Sequence, residues 1–147
     1  MPEFAILIIN TAAALFMTGV IWFVQIVHYP LFIFADKESF PQFSITHSNK
    51  AGYVVILPML AELLTALLLI YLYPSSPFYK YYVFAFLLLA VVWVSTFLIQ
   101  VPVHKKLSGG YNKNKIEILV KYNWIRTIGW SLRTILLIYL VLQLNEK

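Results

Sequence analysis

Four apolar runs decide what this chain can become. They cover about residues 4–28, 51–73, 79–101 and 116–143, and each reaches the ~20 residues a helix needs to cross a ~30 Å hydrocarbon core. A soluble domain cannot hide them: 61% of the 147 residues are hydrophobic and only 12% are charged, so most of that surface must face lipid. Backbone in lipid must satisfy its own hydrogen bonds, which favours helices. The expected fold is therefore all-α, an integral membrane four-helix bundle forming a single transmembrane domain over residues 1–147.

Local signals mark the ends of the runs. Pro30 should stop the first, "PSSP" (Pro74 to Pro77) should turn the chain tightly, and Pro102 should end the third. Gly109-Gly110 hinges the second polar loop. Ser39 followed by Pro41 predicts a helix start outside the bilayer, so an extended or extra short helix should join spans one and two. Pro58 should kink the second span and free a carbonyl. The start, Met1-Pro2-Glu3, is acidic rather than basic, and the run after it is long for a signal peptide, which predicts a retained helix.

Four spans put both termini on one side and the loops after spans one and three on the other. Lys37, Lys50, Lys105, Lys106, Lys113, Lys115 and Lys121 flank those loops, against Lys80 and Lys147 opposite. The positive-inside rule then places both loops in the cytoplasm and both termini outside it. The net charge of +5 sits beside apolar segments, so it predicts headgroup contact with the lipid bilayer and no nucleic-acid partner. The chain has no cysteine, which excludes disulfides, thiolate metal ligands and a cysteine nucleophile.

Topology also gathers chemistry. The three histidines, His28, His47 and His104, all lie at the loop end of a span. Gln25 shares an i, i+3 face with His28; Gln100 precedes His104 by four; Asn123 and Arg126 begin the fourth span at the same level. Tyr29 lies one position round from His28. The pattern is read either as an interfacial belt of rings and amides or as a site. In the second case the histidines are catalytic bases or ligands of iron, copper or zinc, or hold haem, although neither H-x-x-x-H nor H-E-x-x-H occurs. Arg126 joins them as a catalytic candidate. Gln25, Tyr29, Gln100, Asn123 and Trp130 are candidates for binding substrate.

Glu62 and Arg133 lie deeper, each about 16 Å from the loop-side start of its span at 1.5 Å per residue. An ionised group at mid-membrane costs ~2.5–3.5 kcal/mol on insertion scales, so the two should pair. The pair is either a structural clamp or the polar floor of a substrate cavity. Trp22, Trp93, Trp124 and Trp130 either pack or line a slot for a flat aromatic ligand. Asn10, Thr11, Ser95, Thr96, Ser131 and Thr134 should bond across helices or back to their own carbonyls.

"TGVIWFVQIVHYPLF" resembles the glycine-then-proline first helix of the anthrone-oxygenase-like family, small four-helix membrane proteins of largely unknown function. "VPVHKKL" and "YNWIRTIGWSLRTIL" are similar to that family's P-x-N-x-x-L and W-x-x-x-N-x-x-R-type endings, with His104 standing where the pattern has Asn. The resemblance covers most of the chain. It implies cofactor-independent oxygenation of a polyketide anthrone in a membrane-embedded pocket.

Two expectations follow. One is a membrane oxidoreductase or oxygenase acting on a hydrophobic small molecule or lipid, with a metal, haem or no cofactor. The other is a non-catalytic binding, transport or assembly protein, working as a homo-oligomer if it transports.

Overall fold

The computed structural model describes residues 2–145. Four helices run through it: α1 (Pro2–Phe34), α2 (Phe40–Leu72), α3 (Tyr79–Leu107) and α4 (Lys113–Asn145). Each is long and apolar enough to cross a membrane, which fits an integral multi-pass membrane protein. The four form an all-helical bundle, in which α1 packs on α2 and α4, and α3 packs on α4 and α2. Leu57, Leu98 and Ile135 are 74%, 72% and 66% exposed, as lipid-facing side chains are in a protein without its solvent. Lys147, used above for orientation, lies outside the described residues.

Both odd helices run past the proline expected to stop them. In α1, Val24–His28 forms a π turn, Tyr29–Leu31 resumes the α-helix across Pro30, and Phe32–Phe34 closes with a 3-10 turn. In α3, Thr96–Gln100 forms a π turn and Val101–Leu107 continues across Pro102. Each π turn ends two residues before its proline. The N–H of Tyr29 reaches back five residues to the Val24 carbonyl, and that of Val101 to the Thr96 carbonyl. A proline cannot donate, and its ring crowds the preceding turn. Widening that turn by one residue lets the helix pass through. The segments "QIVHYP" and "QVPVH" thus use one local solution twice.

The loops behave as their residues dictate. α2 starts at Phe40 with Pro41 in its first turn and runs unbroken through Pro58. Ser39 precedes it without capping it. Instead the Asp36 carboxylate accepts the Ser39 N–H at 2.9 Å and hydroxyl at 2.8 Å, which holds Asp36 below the usual carboxylate pKa. Gly110 turns the second loop at φ +151°, open to glycine alone without strain. The two loops meet where the Tyr111 hydroxyl donates to the Ile33 carbonyl at 3.1 Å and Lys37 lies over the Tyr111 ring. At the far end Tyr82 donates to Glu3 at 2.8 Å.

Midway along the bundle, one polar network ties all four helices. Arg133 on α4 bonds the Glu62 carboxylate on α2, Asn10 on α1 at 2.7 Å and the Ala85 carbonyl on α3 at 3.2 Å. The second Glu62 oxygen accepts Trp130 Nε1 at 2.9 Å, and Asn10 donates to Thr65 at 2.6 Å. Glu62 and Arg133 are wholly buried. With its charges paired and its donors placed, this network acts as a clamp. Around it, Thr11, Thr96 and Ser131 bond back to carbonyls four residues earlier, and Thr134 bonds Thr18 across α1 and α4.

Candidate functional site

The widened π turn in α1 decides where its polar residues point. Gln25 and His28 do not share a face as an α-helical i, i+3 pair would, because a π turn changes the angle per residue. Gln25 turns to α4: its amide donates to the Val120 carbonyl at 3.2 Å, and its carbonyl accepts Asn123 Nδ2 at 2.9 Å. His28 turns to α2, where its Nε2 meets His47 Nδ1 at 2.8 Å. Tyr29 is 5% exposed, and its hydroxyl lies 2.9 Å from His104 Nε2. The π turn of α3 places Gln100 likewise, accepting Ser95 at 3.1 Å and donating to the Tyr122 carbonyl at 3.4 Å.

The three histidines therefore come together, with ring centroids 4.6 Å apart for His28 and His47 and 5.4 Å for His47 and His104. Phe32, 1% exposed, sits edge-on to them from the loop side, 5.3 Å from His28 and 5.1 Å from His47. Two of the histidines spend a ring nitrogen on each other and the third spends one on Tyr29. Among the described residues no group of three or more His, Asp or Glu side chains is placed to hold a metal ion. As arranged, then, the histidines are engaged in hydrogen bonds, and their geometry does not fit the three-ligand centre considered from the sequence.

Two hollows flank the cluster. An inner cavity of about 340 Å³ lies between α1, α2, α3 and α4, with Met17, Ile21 and Val55 as apolar wall and Tyr29, His47, Ser48, Gln100, His104 and Arg126 as polar wall. An outer groove of about 590 Å³ between α1 and the start of α2 is lined by Phe23, His28, Phe43, His47, Lys50 and Val54. His47 lines both, so the His28–His47 pair stands between groove and cavity.

Arg126 is the cavity's charge. It is 7% exposed, with its guanidinium 5.2 Å over the Trp130 ring, and Nη1 donates to Asn123 Oδ1 at 3.3 Å. Asn123 is in turn held by Gln25, so these amides fix the guanidinium's position. The Tyr29 hydroxyl lies against it.

Several expected residues lie elsewhere. Glu62, Arg133 and the Trp130 indole N–H belong to the clamp. The four tryptophans do not line one slot: Trp22 and Trp124 meet edge-to-face on the exposed surface, Trp93 tilts on Phe97, and Trp130 is in the core. Sequence reasoning missed Phe32 and Ser48. Ser48, Ala51, Gly52 and Val55 follow i, i+3, i+4, i+7 along the cavity face of α2, a stripe of small residues that signals close approach or a hollow. The chain matches no protein-family model, no curated protein and no solved structure.

Proposed function

We propose that this chain is a membrane-embedded enzyme that removes a proton from a largely apolar substrate held in the inner cavity, as the opening step of an oxidation. The observation that carries the reading is the shared lining of one cavity by His47, Tyr29, His104 and Arg126, with His28 bonded to His47 from outside. In this role His47 is the base and His28, by its hydrogen bond, sets the tautomer and ring angle of His47. The substrate C–H bond breaks, its proton goes to His47, and its electron pair stays on the substrate. Dioxygen, as co-substrate, then bonds to that carbon and takes the proton back from His47 to give a hydroperoxide, which loses water to leave a C=O group, as the resemblance to anthrone-oxygenase-like proteins implies. Tyr29, His104, Gln100 and Arg126 hold the substrate oxygen, and Gln25 and Asn123 hold Arg126. The basic loops face the cytoplasm in this reading, and the groove beside Lys50 admits substrate from the lipid.

The test is oxygen uptake by the purified full chain with anthrone as probe. A positioned general base contributes about 10²–10⁴-fold, so His47→Gln should lower the rate by at least about a hundredfold while leaving the fold intact. Unchanged uptake in His47→Gln refutes the assignment. The apolar groove of about 590 Å³ also supports a second reading, a lipid- or small-molecule-binding protein; binding without uptake for any enolisable aromatic ketone would favour it.

A further inference from the structure

The bundle buries two arginines seven residues apart on α4, and they are treated differently. Arg133 has Glu62. Arg126 has no carboxylate at ion-pair distance among the described residues, and its Nε has no hydrogen-bond partner. A guanidinium buried without a counter-charge is costly, and a bundle that supplies one at Arg133 had the means to supply another.

Two more buried atoms lack partners in the same cavity, Ser48 Oγ and His104 Nδ1. Their hydrogen-bonding sense follows from Arg126. Guanidinium N–H groups only donate, so the Tyr29 oxygen beside them turns its lone pairs toward the cation. The Tyr29 hydrogen is then free for His104 Nε2, 2.9 Å away. A neutral imidazole that accepts at Nε2 carries its hydrogen on Nδ1. The free atoms are thus an N–H of Arg126, an N–H of His104 and the hydroxyl of Ser48, all able to donate. Lys105 adds a second positive charge to the lining, and no Asp or Glu lines it.

We infer that the inner cavity binds a single-chain amphiphilic acid, with its carboxylate on Arg126, His104 and Ser48 and its apolar body along Met17, Ile21 and Val55. This goes beyond the proposed function: it names a ligand class for the same cavity and does not depend on the oxidation proposed above. A volume of about 340 Å³ suits one small ligand and is at the low end for such sites.

The test compares decanoate with decanol, equal in chain length and different in charge, on the full chain in dodecylmaltoside at pH 8.5. Decanoate should raise the unfolding temperature and decanol should not. Charge-assisted hydrogen bonds to a buried arginine make Arg126→Gln weaken decanoate about ten- to a hundredfold, with Arg126→Lys keeping part of the affinity. Oxygen uptake with anthrone is measured on the same preparation. Selective binding without uptake in the native chain therefore fails the proposed reaction alone. Equal stabilisation by both probes, stabilisation by neither, or selectivity that survives Arg126→Gln overturns the inference. So does stabilisation by phosphatidylglycerol with no response to decanoate, which would assign the cations to a lipid headgroup.

Discussion

Replacing Arg133 with methionine should destabilise the bundle by about 3–5 kcal/mol, the cost of leaving a buried charge without its partner. The substitution strands one oxygen of Glu62, leaving Trp130 Nε1 on the other at 2.9 Å, and it also strands Asn10 Oδ1. Burial is complete for both charges, so water cannot replace the lost donors. Glu62→Leu should cost a similar amount by stranding the guanidinium. The double variant Glu62→Leu, Arg133→Met removes both charges, and apolar replacement of a buried pair is often neutral or better. Its cost should fall well below the sum of the singles, leaving a coupling of about 2–3 kcal/mol. Reversible unfolding in mixed detergent micelles, followed by tryptophan fluorescence, measures all four corners of the cycle. A single-variant cost under about 1 kcal/mol, or strict additivity, would refute a clamp made by this pair.

Other expectations follow from the same geometry. Arg126→Gln should leave the ligand-free protein as stable as the native chain or more so, opposite in sign to Arg133→Met, because it removes a buried charge that has no counter-charge; the same unfolding assay decides it. Gly129→Val should destabilise by about 1–3 kcal/mol, since even a Cβ there would come within 2.8 Å of Val92 Cγ2, a stiff and wholly buried branch. Tyr29→Phe should free His104 Nε2 and lower decanoate affinity more than stability, read by titration beside the melting curve.

The four-helix architecture was legible because hydrophobic run length is a direct physical requirement of lipid, indifferent to packing detail. The pairing of Glu62 with Arg133 was legible for the same reason: two mid-membrane charges at matching depth have few affordable arrangements. The meeting of the histidines followed from counting spans. The loop-side ends of α1 and α3 were not legible, because Pro30 and Pro102 act as stops only if the preceding turn stays α-helical, and both preceding turns widen instead. That same widening turned Gln25 away from His28 and brought Tyr29 inward, so its central place could not be read from i, i+3 spacing. Phe32 gave no polar signal in its apolar run, and Ser48 was one hydroxyl among the polar residues of "THSNK", so their role comes from what α1 and α2 place beside them.

The central claim is that an acidic amphiphile sits in the cavity beneath the histidine cluster, and a photoactivatable diazirine analogue of decanoate tests it most directly. With the full chain in lipid nanodiscs, the account predicts crosslinks at the cavity wall, at Met17, Ile21 or Val55, suppressed by excess decanoate and absent in Arg126→Gln. Crosslinks confined to lipid-facing Leu57, Leu98 and Ile135, unchanged by competitor or by the substitution, would contradict it.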